Sequence, residues 1–429
     1  MLMAYYNLIV ALILSLGSPF WLFQMAFHRR FRAGLGERFT RYRGLDKGGP
    51  PAASIWIQAA SVGEVSAVIP LVRLIREQLP QYRLVLTCQT DAGRRFARQK
   101  IGDEALILLG PMDLVWLVRR FIRVFSPRIL VLVETELWPS MIREVHRQGI
   151  PIVMISGRIS ARACLYYRHV KFFFQPLLRM VDLFNMRGER DARRLLSLGA
   201  PRDRVFVQGN IKFDSLPPPG PPPESLERFR RESGWSETDP VIVGGSTFKG
   251  EEAILLDAYD RLKDDYPGLK LILAPRHIER VGEVEDLVRS RGKSYRLFSS
   301  PPPGPGTGIV IVDRIGLLSE IYLLGAVVFV GRSLMGKGGQ NPIEPAALGK
   351  PIIFGPFMDN FREIADELVQ AEGAIVVRDA YSLETALRAL LSRPEEAERM
   401  GNQAREVVEK RRGASQRNLD EIKRLLERS

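Results

Sequence analysis

From residue 54 onward, short apolar runs alternate with amphipathic stretches. SIWIQA (54–59), RLVLTC (83–88), ALILLG (105–110), RILVLVE (128–134) and PIVMISG (151–157) are rich in Ile, Val and Leu at successive positions. That is the pattern of strands buried on both faces. Between them, EVSAVIPLVRLIREQL (64–79), DAGRRFARQK (91–100), DLVWLVRRFIRVF (113–125) and LWPSMIREVHRQ (137–148) read as helices with one apolar face. DLFNMRGERDARRLLSLG and RVFVQGN continue the alternation to residue 210. Such an order predicts a doubly wound parallel sheet.

DSLPPPGPPPES (214–225) interrupts the pattern, because a proline run forms neither a helix nor an inner strand. The alternation then restarts with PVIVGGS, LKLILAPR, GIVIVDR, AVVFVGR, KPIIFGP and GAIVVRD, broken once by the loop SSPPPGPGTG (299–308). The charged helical stretch 382–428 is expected to pack back across the domains. The predicted organisation is an N-terminal segment 1–30, a domain over 31–214, a linker over 215–225, and a second domain over 226–429 that includes the returning helices. The fold class is α/β, two Rossmann-like domains facing across a cleft. Ligands in such sheets bind beyond the carboxyl ends of the strands, and interdomain clefts favour small molecules.

The N-terminal segment changes the picture. NLIVALILSLGSPFWLFQMAF (7–27) carries no charged side chain over about twenty residues, a length that enters or crosses a bilayer. HRRFRAGLGERFTRYR follows it at once. Positive charge after the apolar run, rather than before it, argues for a retained anchor with the remainder on the cytoplasmic side. Arg29, Arg30, Arg32, Arg38, Arg41 and Arg43 suit an anionic membrane surface. The whole chain has a formal charge of +13, which favours an anionic partner. Nucleic acid is not that partner on this reading, since the charge is spread widely and no reader motif is present. Cys88 and Cys164 lie far apart, and four histidines offer no zinc-ligand cluster.

Chemistry concentrates at the strand ends. Glu64 opens a helix after SIWIQAASVG, and Glu134 and Glu136 follow RILVLV. Acids in a first helical turn are ordinary capping, yet two carboxylates at equivalent strand ends also suit a general base with charge stabilisation. Lys212 stands just before the proline run, either solvated or aimed at an anion. VIVGGSTFKGEEAILL (241–256) is a strand, a small-residue turn and a helix that offers N–H groups to an anion, with Thr247 as the helix cap and Glu251 in the first turn in the bland reading. It has neither the P-loop nor the dinucleotide fingerprint. Arg276 and His277 follow the strand LILAP, with an ion pair to Glu279 as the alternative to phosphate recognition. GRSLMGKGGQNPIEPAALG (331–349) leads to Asn341, to Pro342 just inside a helix start, and to Glu344 in its first turn, where a carboxylate can accept ribose hydroxyls. No DxD-type acid pair follows a strand, so the usual metal–diphosphate site is missing.

GERF (36–39), SVGE (61–64), ETELWP (134–139), KFD (212–214), GSTFKGEE (245–252), PRH (275–277) and NPIEPAA (341–347), in this order and spacing, resemble the 3-deoxy-D-manno-octulosonic acid (Kdo) transferases of lipopolysaccharide synthesis nearly end to end. The resemblance implies a GT-B glycosyltransferase with an N-terminal membrane-anchor helix at the inner, cytoplasmic membrane. It implies CMP-Kdo as donor, a lipid A precursor (lipid IVA) as acceptor, and a metal-independent, cofactor-free inverting displacement. By motif, Glu64 is the general base, and Glu134 and Lys212 stabilise the transition state. Pro275, Arg276, Ile315, Gly316, Leu317, Asn341, Pro342, Ile343 and Glu344 bind CMP. The chain departs from many relatives in having Phe248 and Gln340 where they have His, and Leu317 where they often have an acid. Two other readings stand beside this one: a GT-B transferase of UDP-sugars, and a tethered binding protein on a degenerate scaffold. Donor competition separates the first and loss of transfer in Glu64→Gln the second.

Overall fold

The computed structural model describes residues 34–40, 42, 53–216, 223–300, 307–336 and 338–428. The apolar stretch 7–27, most of the basic flank, the centre of the 214–225 proline run and residues 301–306 lie outside them. Among the described residues no helix is long and apolar enough to cross a membrane. The chain divides into one unit of Met1–Ser215 with Arg411–Ser429 and a second of Leu216–Lys410.

The sheet of the first unit contains β1 (Ser54–Gln58), β2 (Arg83–Cys88), β3 (Leu106–Leu109), β4 (Pro127–Val133), β5 (Ile152–Gly157), β6 (Leu183–Met186) and β7 (Val205–Val207). Their order is β3-β2-β1-β4-β5-β6-β7, every pair parallel. The alternation of side chains along a strand sorts the apolar runs between the two faces. Ile55 and Ile57 of β1, with Ile129, Val131 and Val133 of β4, face one core with the Val62–Gln78 helix. Trp56, Leu130 and Leu132 face the other, where Trp56 stacks on Phe121 at 4.2 Å. Burial on both faces is what makes these runs nearly continuous in apolar residues.

The second unit repeats the plan with β8 (Val241–Thr247), β9 (Lys270–Pro275), β10 (Arg296–Leu297), β11 (Ile309–Ile311), β12 (Val327–Val330), β13 (Ile352–Phe354) and β14 (Ala374–Val376). The order is β10-β11-β9-β8-β12-β13-β14, again all parallel. In both sheets the first strand in sequence sits beside the strand from which the order runs the other way: β1 beside β4, and β8 beside β12. Connections leave such a pair in opposite directions, opening a crevice at the carboxyl ends.

The final helix, Ala414–Glu427, belongs to the first unit rather than to a second domain running from 226 to 429. Its Ala414, Leu419 and Ile422 complete the core beneath β1 and the Val62–Gln78 helix. Asn418 accepts a buried 2.8 Å hydrogen bond from Asn185 on β6. Asp214 holds its start, accepting the N–H groups of Gly413 and Ser415, each at 2.6 Å. Apolar periodicity predicts the helix, but the partner of its apolar face is a long-range fact. Asp214→Ala is expected to cost about 1–2 kcal/mol, the usual loss for a missing N-terminal cap. A midpoint lowered by a few degrees in thermal denaturation checks it.

Candidate active site

In the first unit the crevice between β1 and β4 collects the acids. Ser61 is the N-cap of the Val62–Gln78 helix but makes no side-chain cap bond to a backbone N–H. Glu64, in the first turn, reaches back instead. Its Oε2 accepts the Ala60 N–H at 2.6 Å and its Oε1 the Ser61 hydroxyl at 3.1 Å. The capping reading therefore holds geometrically, and it does not exhaust the residue. Burial, then the nearby Glu136 carboxylate and more weakly Glu134, push the Glu64 carboxyl up to about 7, against the opposing pull of its two hydrogen bonds. A carboxyl that titrates near neutrality is matched to proton abstraction.

Glu134 leaves β4 in the left-handed region, with φ of +59°. That conformation costs a non-glycine residue about 1 kcal/mol or more and is commonest at functional sites. Its N–H still bonds the Ile155 carbonyl at 3.0 Å, so only the side chain is redirected. Glu134 pairs with Lys212 at 2.6 Å. Lys212 is aimed by Asn210, whose Oδ1 accepts the Lys212 N–H at 3.0 Å and the Ser156 hydroxyl at 3.1 Å. The structure thus brings Glu134 and Lys212 together as an ion pair with the ammonium partly open to solvent.

Glu136 anchors a polar chain that no motif at the strand ends announces. Its Oε2 accepts Trp138 Nε1 at 2.7 Å and Gln58 Nε2 at 3.2 Å. Gln58 Oε1 accepts the Thr87 hydroxyl at 2.5 Å, and Thr87 Oγ1 accepts Trp56 Nε1 at 2.7 Å. Burial raises the Glu136 carboxyl, with Glu134 adding to the rise while the Trp138 and Gln58 bonds oppose it. Gln58 and Thr87 are legible in one respect: each is a polar residue near the end of an otherwise apolar strand. GERF is scaffold beside this cluster. Glu37 bonds Arg94 at 2.8 Å and the Leu109 N–H at 2.7 Å, and Arg38 donates to Gln89. The buried Cys88 thiol is pushed up to about 12, chiefly by burial, so it stays protonated.

The second unit gathers its candidates at β8, β9 and β12. Arg276 donates its N–H to the Thr247 carbonyl at 3.0 Å, which sets it at the crevice edge. Its side chain is exposed and has no ion pair among the described residues, with Glu279 or otherwise. Pro275 ends β9. Ile315 is 86% exposed and Gly316 adopts φ of +91° with open space where a Cβ would be. Leu317 follows as the residue before a short helical turn.

Two local expectations are corrected. Neither Thr247 nor a free small-residue turn caps the Glu251–Leu262 helix: Gly250 stands at the cap in left-handed geometry, and the Thr247 hydroxyl has no partner among the described residues. Glu251 instead takes one N–H of the turn and several of the loop after β12. Fully buried, it accepts Phe248 N at 2.8 Å and Arg332 N at 2.7 Å on Oε2, and Ser333 N and Leu334 N at 3.0 Å on Oε1. The helix after GGQNP is only Ile343–Ala347, starting after Pro342, and the Ile343 N–H is taken by Asn341 Oδ1 at 3.1 Å. Glu344 accepts Asn341 Nδ2 at 3.0 Å and the Ser319 hydroxyl at 2.7 Å. This ties NPIE to the segment that follows Ile315–Leu317.

Comparisons with known proteins agree with this layout. A family model described as 3-Deoxy-D-manno-octulosonic-acid transferase (kdotransferase) matches residues 33–215. The chain is 35% identical over 402 residues, 93% of both chains, to the 3-deoxy-D-manno-octulosonic acid transferase of Haemophilus influenzae. It is 31% identical to that of Bordetella pertussis over 95% of this chain and 96% of the relative. A glycosyltransferase structure from Rickettsia africae covers 89% of this chain and all of its own, at 14% identity and a TM-score of 0.62, a likeness of fold.

Two outcomes follow from the carboxylates. The native state holds the Glu64 proton more tightly than an unfolded glutamate does. The stability this confers is complete below pH of about 4.5 and lost as pH rises through about 7. Glu64→Gln, which cannot ionise, is expected to match the parent's melting temperature at pH 4 and exceed it at pH 8. Thermal scans at both values decide it. Glu251→Gln points an amide donor at backbone donors, with an expected loss of about 3 kcal/mol or more, read by denaturant titration.

Proposed function

The chain belongs to the 3-deoxy-D-manno-octulosonic acid transferase family and is a glycosyltransferase, and from that premise we propose that it transfers Kdo from CMP-Kdo to a lipid A precursor, lipid IVA, in lipopolysaccharide synthesis, with inversion and without a metal. The observation that carries the reading is Glu64: a half-buried carboxyl at the β1–β4 crevice, titrating near 7 beside Glu136 and the Glu134–Lys212 pair. The first unit takes the acceptor and the second the donor nucleotide.

In this mechanism ionised Glu64 accepts the proton of the acceptor sugar hydroxyl as that oxygen bonds to the anomeric carbon of Kdo. The bond from that carbon to the phosphate oxygen breaks with its electron pair, and CMP leaves from the opposite face. Lys212, held by Glu134 at 2.6 Å, supplies positive charge to the anionic transition state. Pro275, Arg276, the Ile315–Leu317 backbone and the NPIE segment hold CMP. Glu344 still has lone pairs for ribose hydroxyls after its two bonds. The apolar stretch 7–27 and the basic flank would keep the enzyme at the cytoplasmic face of the inner membrane, where its lipid acceptor resides.

With CMP-Kdo and lipid IVA, mass spectrometry is expected to show Kdo added to the lipid. Activity with UDP-sugars and none with CMP-Kdo would sink the donor assignment. Glu64→Gln should lower turnover by roughly 10²–10⁴ while CMP still binds. For the parent, kcat/KM should rise with pH through about 7 as Glu64 ionises. Glu136→Gln removes a neighbouring negative charge and should move that limb to lower pH.

A further inference from the structure

At the crevice of the second sheet a second cation, beside Arg276, has no ion pair among the described residues. Arg332 follows β12 by two residues, opposite the Ser246–Phe248 end of β8. The two strand ends touch through backbone: Gly331 N bonds the Gly245 carbonyl at 2.8 Å, and a Cβ on Gly331 would fall 2.4 Å from Ser246 O. One oxygen of Glu251 accepts both the Phe248 and the Arg332 N–H. Arg276 joins the same place through its bond to Thr247. Arg332 therefore stands where a doubly wound sheet binds its ligand.

Its guanidinium has no ion pair and no hydrogen bond among the described residues. It lies over the Phe248 ring, 5.6 Å from the centroid. Arg280, on the same ring at 6.0 Å, shows the contrast: it is held by both oxygens of the buried Glu252 at 2.8 and 3.3 Å. The other acid at hand, Glu251, is spent on backbone N–H groups. A guanidinium fork on a half-buried residue, positioned by an aromatic face and without a counter-ion among the described residues, is prepared for an arriving anion. The backbone points the same way. Arg332 adopts φ of +55°, and Ser246 opposite it φ of +53°. Glycine would occupy such a position without strain, so the strain is the cost of placing an arginine side chain here. Beneath the pair, the buried Thr247 hydroxyl is unpartnered among the described residues.

We propose that Arg332 is an additional anion-binding residue of the donor site, forming a forked contact with the phosphate or the sugar carboxylate of the bound nucleotide sugar. The proposal rests on the donor reading above. Phe248 is then a positioning residue that holds the guanidinium from one face.

Arg332→Gly suits the backbone conformation and keeps the fold, which an unchanged or raised melting temperature verifies. Calorimetric titration of the full chain with CMP is expected to show affinity lowered about tenfold or more, the scale of a charge-assisted contact, with cytidine binding unchanged. Arg332→Lys should recover part of the loss. Unchanged CMP affinity with a raised KM for CMP-Kdo assigns the contact to the carboxylate. If neither CMP affinity nor that KM changes, the proposal is overturned and the donor reading stands. Inorganic phosphate is titrated alongside. A parent protein that binds phosphate through Arg332 but not CMP overturns the donor reading and with it the donor-site role of Arg332, as does a parent that binds neither.

Discussion

A carboxylate taken out of water must be met by donors or hold a proton, and the two units answer that demand differently at the same place. Glu64 and Glu251 both sit at the start of the helix that follows the first strand of their sheets. Glu251 is surrounded by the N–H groups of the turn and of the loop after β12, so it acts as the fastener of the crevice. Glu64 has one N–H and one hydroxyl, and two further carboxylates nearby. One acid is satisfied and structural. The other is under-satisfied and near its titration point.

That difference depends on groups far away in sequence. The chain from Trp56 through Thr87 and Gln58 to Glu136 crosses three neighbouring strands and fixes a second acid close to the first. The left-handed turn at Glu134 sends its carboxylate to Lys212. In the proposed mechanism the carboxyl with the raised pKa takes the proton and the separately neutralised ion pair meets negative charge. Both uses need the crevice that the strand order opens between β1 and β4.

In the second unit the same strand order gathers Arg276, Arg332 and Phe248 at one edge. Here the backbone is committed inward. The Phe248 N–H at the end of GGSTF is taken by Glu251, and the Ile343 N–H of the NPIE turn by Asn341. On the proposed donor reading, recognition of an anion is left to side chains. A guanidinium projects from a strained residue because the fastener beneath it holds both ends of the turn.

Much of this is legible in the chain itself. The doubly apolar runs specify parallel strands buried on two faces, and the motifs at their ends name Glu64, Glu134, Lys212 and Arg276, because alternation and punctuation are local properties of the chain. The seven-strand order of each sheet, the surface of the first unit that receives the returning Ala414–Glu427 helix and the pairing of Asn418 with Asn185 are not local, and no pattern along the chain announces them. The same holds for the roles of Gln58, Thr87 and Arg332. A polar residue near a strand end is visible in one dimension, but whether it meets a donor, an acid or nothing depends on which strand lies beside it. Composition and periodicity decide which residues are buried; only the packed sheet decides which charges are left without a partner.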